Sequence, residues 1–302
     1  MNKKVLLTSE SGFFSSTWSI DTKNKYKNFT LSRSKKKIKT SSKNFKINFN
    51  NTKDIEALVS KIKPNIILHT AAITDVDLCE KEQKLSKKIN YDLTKKISNI
   101  CKRKKIKLVF ISTDQVFSRN LNNLETQKKS PTNIYSLHKS MAEKYILDNL
   151  QDYLIIRTNF FGIAPKNKKS FIDFVYSNLN LKKKINLITD IIHNPISIHL
   201  LIKYITKLIN INSFGVFHIS SNEKISKYQL GMKIAKIFNL DNTIVNKSKL
   251  SDFSFKAQRP NYMYLNNKKL KKILKIKIPS IQDQLKDIKK KYIQKYYKNF
   301  IN

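Results

Sequence analysis

Short runs that are apolar at every position alternate with longer segments of helical spacing through the first half of this chain. Ile66-Ile67-Leu68 and Leu108-Val109-Phe110-Ile111 are the clearest such runs. A strand with one solvated face alternates apolar and polar residues, so a strand that is apolar throughout has to be covered on both faces. The patterning predicts strands at residues 4–8, 29–31, 45–49, 65–69, 106–112 and 153–157. Helical spacing is predicted over 53–62, 84–103 and 133–150. Strands that alternate with helices argue for an α/β fold built on a parallel, doubly wound sheet.

The pattern loosens after Gly162. Short strands at 186–188 and 216–219 and helices at 197–210, 226–238 and 282–297 are separated by polar turns. There is no repeat and no Pro- or Gly-rich linker. The chain therefore divides into residues 1–165, carrying the sheet, and a smaller C-terminal α/β lobe, residues 166–302, interleaved with the first part rather than tethered to it. A length of 302 residues can bury a full core, and a hydrophobic content of 40% excludes a disordered chain.

A formal charge of +39 would ordinarily raise nucleic acid or an anionic membrane as partner. The excess is lysine scattered along the chain, with arginine only at Arg33, Arg103, Arg119, Arg157 and Arg259. Arginine is the better residue for bidentate recognition of bases and phosphates. Abundant Lys, Asn and Ile beside four glycines read as A/T-rich coding, and no specific nucleic-acid role is expected. A substrate carrying phosphates would still be drawn to such a surface. The apolar run Val5-Leu6-Leu7 is too short for a signal peptide, and no stretch reaches the ~18 residues of a membrane span. Cys79 and Cys101 make neither a disulfide framework nor a metal site. A cytoplasmic protein without membrane or metal is expected.

The first strand leads into Thr8-Ser9-Glu10-Ser11-Gly12-Phe13-Phe14-Ser15. Small residues at a strand-to-helix turn let a backbone approach a pyrophosphate at the helix N-terminus. An ordinary strand-turn-helix junction would carry the same residues. Serine at position 9 is costly if that residue needs a positive φ. The second strand ends Leu31-Ser32-Arg33-Ser34-Lys35 without the acid that holds a ribose 2′-hydroxyl. Arg33 and Ser34 suit a 2′-phosphate, or simply a basic loop.

Tyr135 and Lys139 stand four residues apart near the start of a predicted helix, one turn apart on one face. A nearby ammonium is expected to lower the phenol's pKa and so prepare it as a general acid. The strand ending Ser112-Thr113-Asp114 lies upstream, where an open α/β sheet presents its ligand crevice.

The pieces in order resemble the extended short-chain dehydrogenases, and within them the dTDP-4-dehydrorhamnose reductases. The resemblance rests on Ser9/Gly12/Ser15, Thr70-Ala71-Ala72-Ile73-Thr74-Asp75-Val76-Asp77, Asn90, Ile111 to Phe117, and Tyr135/Lys139. It continues through Ile156 to Gly162, Asp190 with His193 to Ser197, Gly215 to Ile219, and Arg259-Pro260. It implies a Rossmann-type NADP-binding domain and a sugar-nucleotide lobe. It implies Thr113 as catalytic hydroxyl, Tyr135 as proton donor and Lys139 as its tuner and ribose ligand. Ser9, Gly12, Phe13, Arg33, Ser34, Ala71 and Ala72 would line the cofactor. Thr74, Val76, Asp114, Phe160 and Arg259 would face a nucleotide-diphosphate sugar.

The activity implied is NADPH-dependent reduction of the 4-keto group of a nucleotide-linked 6-deoxyhexose, for cell-surface polysaccharide precursors. NADH is the alternative cofactor, and a homodimer the assembly to look for. Related dehydratases carry Thr-Asp-Glu where this chain has Thr113-Asp114-Gln115, which disfavours elimination. An epimerase of the same superfamily, or a non-catalytic cofactor-binding subunit such as that of methionine adenosyltransferase, are the other readings. The trio Thr113, Tyr135 and Lys139 speaks for catalysis.

Overall fold

A computed structural model of the chain describes residues 2–32, 42–47, 49, 51–118, 122–164 and 170–297. The first half supplies strands β1 (Lys4–Leu7), β2 (Lys27–Ser32), β3 (Lys43–Lys46), β4 (Ile66–His69), β5 (Lys107–Ile111) and β6 (Tyr153–Arg157). Between them run helices α1 (Phe13–Asp21), α2 (Thr52–Ile62), α3 (Val76–Lys81), α4 (Gln83–Lys87), α5 (Leu93–Lys104) and α6 (Ile134–Asn149). The second half adds β7 (Phe160–Phe161), α7 (Phe171–Asn180), β8 (Ile185–Ile188), β9 (Ile192–His193), β10 (Ile196–Ser197) and α8 (Ile198–Asn210). β11 (Gly215–His218), β12 (Ile225–Ser226), α9 (Lys227–Phe238), β13 (Val245–Ser248), α10 (Lys268–Leu274) and α11 (Ile281–Tyr297) complete it.

The main sheet has seven strands in the order β3-β2-β1-β4-β5-β6-β11, every pair parallel. The order reverses between β1 and β4, which opens a crevice at the carboxyl ends of the strands. The period of two in each apolar run divides the core. Val5, Leu7, Leu68, Val109 and Ile156 face one side, where they meet Trp18 of α1 and Leu201 and Ile205 of α8. Leu6, Ile67, Leu108, Phe110 and Ile155 face the other, against Ile97 of α5 and Ile146 of α6. A third core joins α7, α9, α11, β8 and β13 through Val175, Ile234, Leu285, Leu187 and Val245.

Three predicted elements need correction. The helix expected over 84–103 is broken into α4, a π-helical segment Lys88–Asp92 and α5. At the wider turn the buried Asn90 accepts from Ile73 N (2.9 Å) and donates to Ile73 O (3.1 Å), a tie that periodicity alone does not reveal. The strand expected at 45–49 spans Lys43–Lys46 instead. The strand read at 216–219 among the elements of the C-terminal lobe is β11, the seventh strand of the main sheet, paired to β6 from Gly215↔Leu154 to His218↔Arg157. Its apolar pair Val216-Phe217 fits either sheet, and sequence gives no pairing.

Candidate active site

The turn after β1 is pinned to the loop after β4. Thr8 Oγ1 accepts from Thr70 N and Ala71 N, both at 3.0 Å, and pairs with His69 Nδ1 at 2.8 Å. Burial, reinforced by the Lys139 charge, pushes His69 down to about 3, so its ring is a neutral spacer. Ser15 Oγ bonds Thr70 Oγ1 at 2.8 Å, which gives Ser15 a structural task. Ser9 is absent from the described residues with positive φ, so the strain a serine would meet there does not arise. Gly12 caps α1 at φ −69° and ψ 146°, with no side chain bonded to the helix end. A Cβ on Gly12 would stand 3.3 Å from Ser9 Oγ. Arg33 and Ser34 lie outside the described residues.

Thr113 ends the β5 segment as the cap of a short 3-10 turn, its Oγ1 accepting from Gln115 N (3.2 Å) and donating to Asp114 Oδ1 (3.2 Å). The start of α6 is fixed by a capping box between Asn133 and Ser136. Asn133 Nδ2 also donates to Gln258 O at 2.8 Å, and Ile134 N to Glu80 Oε2 at 3.1 Å. That anchorage places Tyr135 in a small cluster with Val76, Cys79 and Ala257, beside Thr113.

The sequence reading of the Tyr135/Lys139 pair requires one correction. Burial holds the Tyr135 phenol above its ordinary range, and the nearby Asp114 adds to this, while Thr113 opposes it. The Lys139 ammonium is directed elsewhere: Nζ donates to Ile111 O at 2.6 Å and lies 3.8 Å from the Phe110 ring centroid. Burial lowers Lys139 to about 7, with Glu143 acting in the opposite direction.

Asp114 is fully buried, and burial raises it to about 6 against the Asn159 and Thr113 hydrogen bonds and the Lys227 charge. Asn159 Nδ2 donates to its Oδ2 at 2.9 Å. Val76 is buried against Tyr135, Ala71 and Ala72 are half-buried, and Thr74 is exposed. Phe13 and Phe160, read for opposite ends of the site, touch each other with ring centroids 5.7 Å apart. Arg259 is held by Asp77 (2.9 Å) and stacks on Phe255, so its guanidinium already has a protein partner beside the crevice.

Several participants were not singled out from the sequence. Asn159 orients Asp114. Lys227 and the buried His193, neither of whose ring nitrogens has a partner, come from the C-terminal half. Glu143 lies fully buried on α6; continuing the four-residue spacing from Tyr135 and Lys139 would have reached it. Among the described residues no group of His, Cys, Asp and Glu is placed to hold a metal, and no helix is long and apolar enough to cross a membrane.

The family model described as RmlD substrate binding domain matches residues 4–294. The chain belongs to the RmlD substrate binding domain family. A probable low-salt glycan biosynthesis reductase of Haloferax volcanii is 24% identical over 244 residues, covering 79% of this chain and 81% of that protein. Methionine adenosyltransferase 2 subunit beta of Xenopus laevis is 24% identical over 62% of this chain and 58% of its own length. The dTDP-4-dehydrorhamnose reductase of Bacillus anthracis, solved in complex with NADP, superposes with a TM-score of 0.85 at 25% identity, covering 95% of this chain and 99% of that one. The RmlD match runs from β1 into α11, so it takes in the turn at Gly12, the Thr113/Tyr135/Lys139 cluster and the elements after β6 alike.

Proposed function

We propose that this chain reduces the C4 ketone of a nucleotide-linked 6-deoxyhexose with NADPH, in the cytoplasm, as a step toward surface polysaccharide. The carrying observation is the convergence of Thr113, Tyr135 and Lys139 at the carboxyl end of β5, beside the crevice of the sheet. The helix end at Gly12, free of any capping side chain, fits a pyrophosphate, and bound NADPH would supply the hydride. Arg33 and Ser34 are proposed for the 2′-phosphate, and Ser9, Gly12, Phe13, Ala71 and Ala72 for the cofactor wall. Residues 166–302, apart from β11 and α8, which belong to the main sheet and its cover, are proposed as the substrate lobe, with Thr74, Val76, Asp114, Phe160 and Arg259 facing the sugar nucleotide.

In this reading Tyr135 is the acid. Its burial keeps the phenol protonated until a carbonyl oxygen is reduced beside it, and Thr113 shares the developing alkoxide. Lys139, one turn further along α6, donates to the Ile111 carbonyl, and in this reading its ammonium has to turn toward the ribose and the phenolate once cofactor is bound. The likeness to methionine adenosyltransferase 2 subunit beta supports a second reading, a cofactor-binding subunit without turnover. NADPH and NADH titration, then turnover of dTDP-4-keto-6-deoxymannose, separates the two. Tyr135→Phe should lower kcat by about 10²–10⁴-fold with NADPH affinity retained. Failure to bind NADPH at millimolar concentration would overturn the reductase reading, and binding without Tyr135-dependent turnover would favour the subunit.

A further inference from the structure

Tyr135, Lys139 and Glu143 stand at successive four-residue steps along α6, on one buried face. Glu143 sits with no exposed side-chain surface and gathers donors from three other segments. Arg157 of β6 donates through Nε at 3.1 and 3.2 Å and through Nη2 at 2.8 Å. Lys129, from the segment before α6, lies at 3.3 Å. Ser112, at the end of β5, donates through Oγ at 2.5 Å. Burial pushes the Glu143 carboxyl up, but Arg157, Lys129 and Ser112 together hold it below the usual carboxylate range. Arg157 is itself seated, with Nη1 donating to Glu125 O at 3.1 Å and its guanidinium over the Phe117 ring.

The position of Ser112 matters. It follows Ile111, whose carbonyl accepts from Lys139, and it precedes Thr113. One hydrogen bond from Ser112 to Glu143 therefore ties the end of β5 to α6 at the place where they present Thr113, Tyr135 and Lys139. The charges around Lys139 are few. His69 from β4 is held neutral, and Phe110 and the Ile111 carbonyl carry no net charge. His218 of β11, 3.2 Å from Arg157, is also pushed down to about 3 by burial and is neutral. Arg157 and Lys129 face Glu143. Among the described residues, Glu143 is the charge that favours the protonated form of Lys139.

We infer that Glu143 is a positioning residue of the site: through Ser112 it fixes the β5 terminus against α6, and it sets a carboxylate one helical turn from Lys139 on the same buried face. The inference rests on the reductase reading of that site. The two roles separate by substitution. Glu143→Gln keeps the shape and an acceptor for Ser112 but removes the charge, whereas Ser112→Ala removes the tether and leaves the charge.

The experiment measures NADPH affinity and kcat from pH 6 to 9 in wild type, Glu143→Gln, Glu143→Asp and Ser112→Ala, with melting curves to confirm folding. Loss of the charge should move the alkaline limb of both profiles to lower pH by about one unit, an about tenfold loss at pH 8 that shrinks to about twofold at pH 6. Glu143→Asp should restore the limb, and Ser112→Ala should lower kcat without moving it. Should Glu143→Gln fail to fold because Arg157 is left unpaired, the double variant Glu143→Gln/Arg157→Gln removes both charges and answers the same question. Superimposable affinity–pH curves in wild type and the charge-free variant overturn the inference whether or not any sugar is turned over. Absence of turnover in wild type overturns only the reductase reading.

Discussion

Asp114 shows how one buried charge trades stability for a site. Its carboxyl is raised to about 6 from an ordinary 3.8, so the folded chain holds a proton there longer than the unfolded chain does. The stabilising difference is complete below the unfolded value and is lost as pH climbs through about 6. Asp114→Asn removes the ionisation. It should leave stability unchanged at pH 4 and raise it at pH 7.5 by on the order of 2 kcal/mol, read as a higher Tm. If the Tm difference were the same at both pH values, the Asp114 carboxylate would not be the cause. The same variant should raise the sugar-nucleotide KM, since one carboxylate oxygen between Thr113 and Asn159 becomes an amide donor. How far such residues could be read in advance depends on what they bind. Tyr135 and Lys139 were legible because their spacing is local, and Thr113 because it follows an apolar strand. The choice of Lys139 for the Ile111 carbonyl was not, since a backbone acceptor leaves no trace in sequence, and the expected lowering of the phenol failed for that reason. The partner of Arg259, Asp77, lies 182 positions away and was equally hidden.

At the scale of elements, scarce glycine leaves a signature. α2, α5, α9 and α10 end on Lys63, Lys105, Asn239 and Lys275, all in the left-handed region that glycine usually fills. A side chain there costs about 1–2 kcal/mol of backbone strain, part of which glycine gives back as chain entropy. Lys105→Gly should therefore stabilise the fold by about 0.5–1 kcal/mol, and Lys63→Gly similarly, measured by urea unfolding; a loss of stability in both would show the lysines make compensating contacts. Helix ends of this kind escape a reading that looks for glycine as the stop signal. Strand interiors were legible because a two-sided sheet core forces apolar residues at every position, as in β4 and β5. The π-helical break at Lys88–Asp92 was not, because one extra residue per turn hardly disturbs the periodicity on either side.

For the whole molecule, the formal charge of +39 becomes a statement about encounter rather than fold. A diphosphate-bearing substrate is attracted over a distance set by the Debye length, about 10 Å at 0.1 M salt. Raising salt from 20 mM to 0.5 M should lower kcat/KM several-fold while leaving kcat nearly constant, because the reacting atoms sit behind low-dielectric walls. A salt-independent kcat/KM would show that the lysines do not steer. The fold class was legible at this scale from the alternation of elements alone. The assignment of the seventh strand was not, since sequence ranks strands by order of appearance and a sheet ranks them by neighbour.

That seventh strand has a consequence for how the chain is made. During synthesis β6 emerges with its outer backbone groups unpaired, and β11 follows only after four short strands, α7 and α8 have been threaded out. Until then the nascent sheet carries an open edge of apolar residues, Leu154-Ile155-Ile156, of the kind that recruits strands from neighbouring chains. A chain cut short before β11 would keep that edge open, so the pairing of β11 with β6 is also what closes the sheet against its neighbours.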